Sequence, residues 1–341
     1  MSVRFMDSFD HYATAQLLDK WTSGAGSIAA GAVRTGIQGL SLGGYNNDSL
    51  TKVIDAQGTW IIGGAIRLPA IVSNVSLAST LDSGNLQGCV LLNGTGTLSL
   101  LRGGTVVATS VNTILANVFY FIELKHIIDN VVGLLEVRVN GAVWATFSGD
   151  TQETANSIAN GIRLGPIFQD YDTVQFDDLY VLDGVDQSIA DPNSPPNNDY
   201  LGDHEVRFLA PIGAGNYTEF ATLVGAPTHW QAEDEVPPTE DTDYVEDTID
   251  DRRDTYAMAD LPAGSYDIPG IQLIHRVKQI VGAPRKFARL IRRVSDNQGA
   301  DTALSTSYLY YLEILGGDPI AAGAWTKTNI DAMEVGQRVR S

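Results

Sequence analysis

The sequence predicts an all-β protein that consists of two β-sandwich units. Three observations favour this fold class: apolar and polar residues alternate with a period of two, glycine and asparagine turns recur at short intervals, and helical periodicity is almost absent. A length of 341 residues leaves room for two domains of ordinary size. The 44% hydrophobic content, with 34 glycines and 13 prolines, is typical of a globular, turn-rich chain.

The strongest local signal is a three-stranded antiparallel meander over residues 119–147. Its alternation of apolar and charged residues predicts a sheet with one buried face and one wet face. A register in which partner numbers sum to 261 matches apolar with apolar residues and acids with bases, as in Ile122–Val139, Leu124–Val137, Glu123–Arg138 and Lys125–Glu136. The next turn, Asn140-Gly141, predicts a type I′ hairpin because both residues tolerate a positive φ.

The remaining strands follow from the same alternation, and one short helical turn is expected within residues 7–21. Further strands are predicted at 36–42, 60–68, 89–92, 97–102, 106–108, 176–183, 204–209, 271–281, 286–295 and 307–314. Residues 271–281 and 286–295 also fit a helical pattern, but Gly282-Ala283-Pro284 between them favours a hairpin of two strands.

Composition divides the chain into three parts. Residues 1–190 form the first predicted domain, and the polar, proline-rich residues 191–202 form a linker. Residues 203–341 form a second β-rich domain, in which the acidic residues 231–260 are predicted to be an extended arm. This arm has too few apolar residues to offset its chain entropy, so we expect it to become ordered only against a neighbouring subunit.

The net charge of −19 argues against nucleic acid and anionic membranes as the main partners. Residues 233–254 carry eleven acids, whereas residues 276–293 carry seven basic residues and no acid. Two interpretations are open: two solvated faces that partly neutralise each other within one domain, or complementary surfaces on neighbouring subunits.

No apolar segment approaches the length of a membrane span, and neither membrane insertion nor a secretory signal is predicted. The single cysteine, Cys89, is expected to be buried and to form no disulfide.

Several motifs, taken in their order along the chain, carry a resemblance to a known family. They are Ser8-Phe9-Asp10, Lys20-Trp21, 96–104, 120–125, 137–141, 176–181, 200–203, Trp230, 243–245, Asp318-Pro319, Trp325-Thr326 and 334–336. Together they resemble concanavalin A-like (laminin G-like) jelly-roll domains of tailed-bacteriophage structural proteins. The resemblance implies an N-terminal jelly roll followed by a smaller β-sandwich. It also implies a virion component, such as a tail or collar fibre or a particle-surface protein, made in the host cytoplasm.

Catalytic motifs receive little support from the sequence. Gly39-Leu40-Ser41-Leu42-Gly43 matches the nucleophile elbow, but a strand rather than a helix is predicted around it. Jelly-roll glycan hydrolases present an E-x-D-x-E sequence on one strand, and this chain has none. The chain is therefore predicted to be non-enzymatic.

Calcium is the metal that such jelly rolls would take. The candidate ligands are Asp177 with Asp178, or Asp241 with Asp243 and Glu246. Neither set has the framework of a dedicated calcium loop, and hydrogen bonding of an inward carboxylate to backbone N–H groups of an adjacent turn is the favoured interpretation. No cofactor is therefore predicted.

Two hypotheses describe what the chain contacts. The first is a structural virion protein that assembles as a homo-oligomer with other virion proteins. The second is a lectin-like receptor-binding fibre protein that recognises host surface glycan, because aromatic side chains stack on sugars as well as on neighbouring subunits. The residues predicted to form an interface or glycan contact are Trp144, Trp230, Arg285, Lys286, Arg289, Arg292, Arg293, Glu240, Asp241 and Asp243.

Overall fold

The chain forms two compact units in the computed structural model, which describes residues 3–43, 48–167, 172–189, 194–280 and 285–341. The first unit comprises Met1–Gln187 and Pro196–Arg207, and the second comprises Ser188–Pro195 and Phe208–Ser341. Residues 196–207, predicted as part of the linker and the start of the second domain, therefore belong to the first unit.

The first unit is an all-β jelly-roll sandwich of two antiparallel sheets. Its regular elements are β1 (Val3–Asp7), α1 (Leu17–Lys20), β2 (Ser23–Gly24), β3 (Ser27–Ala29), β4 (Gly39–Gly43), β5 (Leu50–Gln57), β6 (Thr59–Arg67), β7 (Val75–Asp82), β8 (Asn85–Leu92), β9 (Thr97–Arg102), β10 (Thr105–Thr113), β11 (Tyr120–Ile127), β12 (Gly133–Val139), β13 (Ala142–Gly149), β14 (Ala159–Leu164) and β15 (Thr173–Leu182). Short 3-10 turns lie at Thr14–Gln16, Ala30–Ala32 and Gln187–Ile189.

The two sheets have the strand orders β13-β12-β11-β6-β15-β4-β3, with β1 also paired to β15, and β10-β9-β8-β7-β14-β5-β2. Trp60, Leu124 and Val137 of the eight-stranded sheet are fully buried, as are Val90 and Leu100 of the seven-stranded sheet. Burial of these large apolar side chains is the main stabilising term of a sandwich.

A buried histidine links the two sheets. Nδ1 of His126, on β11, lies 2.8 Å from Oγ1 of Thr80 on β7. Burial lowers the pKa of His126 to about 4, so the imidazole is neutral at physiological pH. The predicted burial of Cys89 is also confirmed, in a cluster with Leu91 and Leu101.

The predicted register of the meander is confirmed. Strands β11 and β12 pair as Ile122–Val139, Glu123–Arg138, Leu124–Val137 and Lys125–Glu136. Asn140 and Gly141 have φ values of 49° and 80°, which are the positive values that the predicted type I′ turn requires.

The N-terminal motifs fold into a buried polar cluster around Asp7. The Asp7 carboxylate accepts hydrogen bonds from the Phe9 amide (2.9 Å), the Tyr12 hydroxyl (2.8 Å) and the Trp21 indole (3.0 Å). It also pairs with Nζ of Lys20 at 2.9 Å, and both side chains are completely buried. Desolvation lowers the pKa of Lys20, an effect that Asp7 opposes. Both residues of the Lys20-Trp21 motif therefore bind the Asp7 carboxylate.

The second unit is also built from β-strands. Its regular elements are β16 (Pro211–Thr218), β17 (Thr222–Val224), β18 (Tyr244–Glu246), β19 (Arg253–Met258), β20 (Ile271–Val277), β21 (Lys286–Arg292), β22 (Asp296–Gln298), β23 (Thr302–Ala303), β24 (Leu309–Leu315), α2 (Lys327–Asp331) and β25 (Glu334–Arg340), with 3-10 turns at Trp230–Ala232 and Glu240–Thr242. A six-stranded sheet has the order β16-β19-β25-β21-β22, with β23 paired to β21. Two further pairs, β17-β18 and β20-β24, complete the unit.

Three predictions for the second half are wrong. The extended arm predicted at 231–260 contains β18 and β19, and β19 is an interior strand of the six-stranded sheet. The strand predicted at 204–209 is absent from the described structure, because 199–206 instead cross the first unit. Strands β20 and β21 exist but pair with β24 and β25 rather than with each other. The predicted turn at Gly282-Ala283-Pro284 and residues 191–193 of the predicted linker lie outside the described residues.

Within the described ranges, no helix has the length and apolar character needed to span a membrane.

Candidate functional site

One side of the jelly roll presents two edge strands together. Strand β10 ends the seven-stranded sheet, β13 ends the eight-stranded sheet, and the two strands lie against each other. An edge strand offers unpaired backbone N–H and C=O groups to a strand from another chain. We call the pair β10 (Thr105–Thr113) and β13 (Ala142–Gly149) the uncharged edge, for the reason given next.

The uncharged edge lacks two of the features that protect edge strands in monomeric proteins, charged residues and prolines, although both strands pair with their neighbours through register shifts. No Asp, Glu, Lys or Arg occurs in residues 103–122 or 139–149, and neither range contains a proline. Its apolar side chains are instead exposed to solvent: Val111 by 92%, Val106 by 53% and Val143 by 49%. Natural edges are usually blunted by charged residues, so this surface has the properties of a contact surface.

Trp144 lies on β13, within the uncharged edge. Its side chain is half-buried, and its ring centroid is 6.4 Å from that of Tyr120 in an edge-to-face arrangement. The sequence predicted that Trp144 could contact either a neighbouring subunit or a sugar. Both contacts stay predictions.

The outer face of the eight-stranded sheet is covered rather than solvent-exposed at Glu123, contrary to the prediction. Residues 196–207, which we call the crossing segment, lie over it, and only 1% of Glu123 is exposed. Oε1 of Glu123 accepts hydrogen bonds from the Tyr180 hydroxyl and from the Gly202 amide at 2.8 Å. Burial and this carboxylate together hold the pKa of Tyr180 well above its usual value.

The acids and bases lie opposite each other as the predicted register requires, but Lys125 and Arg138 form their ion pairs with other residues. Lys125 pairs with Asp199 of the crossing segment at 3.0 Å, and Arg138 pairs with Glu136 on its own strand at 2.9 Å. Lys125 and Arg138 thus find partners that the register of β11 and β12 does not indicate.

Most of the charged residues predicted as subunit contacts are paired within the second unit. Arg285 pairs with Asp250, Arg289 with Glu313, Arg292 with Asp296, Arg293 with Asp318, Glu240 with Arg276 and Asp241 with Lys278. Arg289 is 7% exposed, so its guanidinium is an internal group of this unit, and its interface role stays a prediction. The pairing agrees with the interpretation that the acidic and basic stretches neutralise each other within one domain.

The other predicted contacts in this unit are scattered. Lys286 is exposed at the start of β21. Trp230 begins a 3-10 turn and is half-buried, and Asp243 accepts a hydrogen bond from the Thr239 hydroxyl. Trp144, the remaining predicted contact, lies in the other unit.

The second unit contains one polar arrangement that the sequence did not reveal. Nδ1 of His229 lies 2.5 Å from Oδ2 of the fully buried Asp254, whose other oxygen accepts from the Phe220 amide at 3.0 Å. The two residues are 25 positions apart, so no spacing motif identifies the pair. Burial raises the pKa of Asp254, while the hydrogen bonds from Phe220 and His229 oppose that shift.

The calcium candidates near the end of the jelly roll are hydrogen-bonded as predicted. The Asp177 carboxylate accepts from the backbone amides of Arg34 (2.6 Å) and Thr35 (3.0 Å), which lie in an adjacent turn. Asp178 accepts from the Thr35 hydroxyl at 2.7 Å. Among the described residues, neither this group nor Asp241, Asp243 and Glu246 forms a set of ligands arranged around a metal.

The serine of the nucleophile-elbow match, Ser41, lies within strand β4. Its backbone carbonyl accepts a hydrogen bond from the Ser27 hydroxyl at 3.4 Å, and Ser41 pairs with Gln175 of β15. A residue in the middle of a paired strand does not have the exposed strand-to-helix turn that activates such a serine.

Comparison with solved structures finds jelly-roll proteins of very low identity. The chain is similar to the cellulose-induced protein Cip1, at 17% identity over 52% of this chain and 96% of that chain, with a TM-score of 0.39. It is similar to an alginate lyase from Corynebacterium sp., at 14% identity over 50% and 98% of the two chains, with a TM-score of 0.35. It is also similar to a mutant Trypanosoma rangeli sialidase with trans-sialidase activity, at 11% identity and a TM-score of 0.38, covering 51% of this chain and 30% of the sialidase. No family model and no curated protein matches the chain.

These likenesses concern half of the chain, and at such identities they concern its fold alone. None of the three proteins is a phage protein, so the phage resemblance rests on the sequence motifs. They do contradict the prediction that the chain is non-enzymatic, because alginate lyases and sialidases occur among the similar structures. That prediction rested on the absence of one carboxylate motif, whereas one fold hosts many unrelated chemistries with different residues.

Proposed function

We propose that this chain is an assembling structural component of a tailed-bacteriophage particle, and that its jelly roll contacts a second copy of the chain through the uncharged edge. The uncharged edge strands β10 and β13, with their exposed valines Val106, Val111 and Val143, are the observation that carries the proposal. The ordered sequence motifs support the choice of a virion component.

Charge explains why a second copy would meet this part of the surface. Each copy carries a net charge of −19, so two copies repel each other at most orientations. The uncharged edge brings no ionised side chain of its own into the contact, and it adds apolar burial and backbone hydrogen bonds. Edge pairing between identical copies also satisfies the self-complementarity of a two-fold interface.

Placing a lysine on the uncharged edge should weaken self-association. We expect Val111→Lys or Val143→Lys to raise the dissociation constant of the oligomer by about tenfold or more, because a charge must then be buried against an apolar strand. The matched control is Val132→Lys, since Val132 is 76% exposed in the β11–β12 turn and lies outside the edge. Sedimentation equilibrium measures all three variants.

The virion part of the proposal has its own readout. In lysates of infected cells, the wild-type chain should sediment with particles, and Val111→Lys should remain largely in the free fraction. A wild-type chain that stays monomeric at high concentration and never sediments with particles would contradict the proposal. Equal effects of the edge variants and Val132→Lys would contradict the assignment of the surface.

Glycan recognition is the second candidate function, and the edge-to-face pair of Trp144 and Tyr120 favours it. Aromatic faces at a surface provide platforms for the C–H groups of a sugar ring. We expect Trp144→Ala to lose glycan-array signal at least tenfold if this function holds, a loss of roughly 1.4 kcal/mol. Trp60→Phe, a change within the buried core, is the control for folding. An array on which the wild-type chain binds nothing would remove this candidate.

A further inference from the structure

The path of the chain around the crossing segment is unusual. Residues 196–207 belong to the first unit, whereas residues 188–195 before them and residues from 208 onwards belong to the second. Residues 196–207 are therefore a separate stretch of twelve residues within the first unit. The crossing segment forms no strand or helix, so it does not extend either sheet of the jelly roll.

Charged side chains of the jelly roll bind side chains of the crossing segment. Nζ of Lys125 lies 3.0 Å from Oδ1 of Asp199, and the guanidinium of Arg138 lies 3.8 Å from the ring centroid of Tyr200. At the other end, Arg34 forms an ion pair with Asp203. Three cations of the jelly roll thus match an acid, an aromatic ring and a second acid of the segment.

The sheet also satisfies the backbone of the crossing segment. The Leu201 amide donates to the Tyr180 hydroxyl at 3.2 Å, and the Gly202 amide donates to Oε1 of Glu123 at 2.8 Å. Further along, the Val206 amide donates to Oδ1 of Asp178 at 2.8 Å. Recognition of backbone amides together with alternating side chains is the pattern of a peptide-binding site.

This attachment is specific but not tight. Asp199 is 62% exposed, and ion pairs at such positions contribute about 1 kcal/mol or less. Oε2 of Glu123 is buried beneath the segment and has no hydrogen-bond partner among the described residues, which is an energetic cost. Of the segment's residues only Asn197 is buried, and its apolar residues Leu201 and Val206 are half-buried, so releasing the segment costs less than opening the core of the sandwich.

We propose that the crossing segment is exchanged between copies, so that residues 196–207 of one copy occupy the outer sheet face of the next copy's jelly roll. This inference rests on the proposed function, since exchange requires assembly. An exchanged segment makes the same contacts as an unexchanged one, which makes exchange an inexpensive route to an oligomer. The segment begins next to its own jelly roll, where the Gln187 amide donates a hydrogen bond to the Pro196 carbonyl at 3.1 Å, so an exchanged segment must replace this contact with the same one in the next copy.

A charge-swap experiment in the full chain tests the exchange. The Asp199→Lys variant places a lysine of the segment against Lys125 of the sheet. The Lys125→Asp variant places Asp199 against an acid of the sheet. In each variant alone, the side chains at positions 125 and 199 therefore repel each other. A mixed oligomer pairs Lys with Asp at one junction and restores the native Lys125–Asp199 pair at the other. Each variant alone carries the repelling pair in both its closed monomer and its exchanged oligomer, so we expect it to associate about as tightly as the wild type. Only the mixed oligomer restores attractive pairs, so the refolded mixture should associate about tenfold more tightly than either variant alone. A mixture no better than its components would overturn the proposal.

A cross-link reports the geometry directly. Equal amounts of ¹⁵N-labelled and unlabelled wild-type chain are refolded together and treated with a zero-length carbodiimide, which joins Nζ of Lys125 to the Asp199 carboxyl. In an exchanged dimer about half of these cross-links join a labelled peptide to an unlabelled one. The Lys327–Asp331 pair, four residues apart on α2, is the control that must stay within one chain. Lys125–Asp199 cross-links confined to single chains, or absent altogether, would overturn the exchange, while an oligomeric mass in the same sample would leave the proposed assembly intact.

Discussion

Replacing Asp7 with alanine is expected to lower the free energy of unfolding of the jelly roll by about 3–5 kcal/mol, the usual cost of removing one partner from a buried ion pair. The variant leaves the Lys20 ammonium buried without its carboxylate. It also removes the acceptor of the Tyr12 hydroxyl and of the Trp21 indole. Guanidinium titration followed by near-UV circular dichroism measures the loss in the jelly-roll transition.

The double variant Asp7→Ala/Lys20→Met separates the charge from the packing. Methionine has a similar length to lysine and no charge, so the double variant should be more stable than Asp7→Ala alone even though it carries an additional substitution. An Asp7→Ala protein within about 1 kcal/mol of the wild type would contradict the role assigned to this cluster.

Asp177→Asn is expected to change how the stability of the jelly roll depends on pH. Burial, with a contribution from Asp178, raises the pKa of Asp177 to about 7, from 3.8. Between these two values the folded chain binds more protons at Asp177 than the unfolded chain, so this carboxyl makes the fold less stable as pH rises through the window. Asparagine cannot ionise. The stability of the variant relative to the wild type should therefore rise by roughly 3–4 kcal/mol between pH 4 and pH 8.

The control for this prediction is Asp129→Asn, a substitution of the same kind in the exposed β11–β12 turn. Hydrogen bonds from the Val132 and Val131 amides lower the pKa of Asp129, so its carboxyl is already ionised at pH 4 and above. Its stability relative to the wild type should therefore stay constant over the same range. Chemical unfolding at intervals of half a pH unit measures both variants. A flat difference for Asp177→Asn as well would show that its carboxyl is not held neutral by the fold.

Local alternation was enough to predict the all-β fold and the meander. The register of β11 with β12 follows from matching residues such as Ile122 and Val139, which are close in sequence and have one consistent pairing. The interior strands β7 (Val75–Asp82) and β14 (Ala159–Leu164) were missed. Every residue of β7 is buried, including the polar residues Ser76, Thr80 and Asp82, so the polar positions of this strand do not mark a solvent-exposed face.

The contacts made by the crossing segment could not be predicted from short-range patterns. Gly202 and Glu123 are 79 positions apart, and nothing in the sequence around either residue indicates the other. Residues 204–209 alternate in sequence as a strand does. In the structure, however, the Val206 amide binds the Asp178 side chain rather than a neighbouring strand. Glu123 was consequently expected on a wet face.

The uncharged edge, by contrast, was available in the sequence and was overlooked. The absence of charge from 103–122 and 139–149 is visible without a structure. What the sequence lacks is the strand order, which shows that these two ranges supply the two edge strands on one side of the sandwich. An uncharged interior strand is ordinary, whereas an uncharged edge strand indicates a contact.

A cryo-electron microscopy reconstruction of the purified assembly, at a resolution that traces individual strands, tests the central claim most directly. The account predicts that β10 and β13 of each copy lie against another copy, with Val111 and Val143 buried in the contact. A reconstruction in which the uncharged edge faces solvent in every copy, with the subunits joined elsewhere, would contradict it.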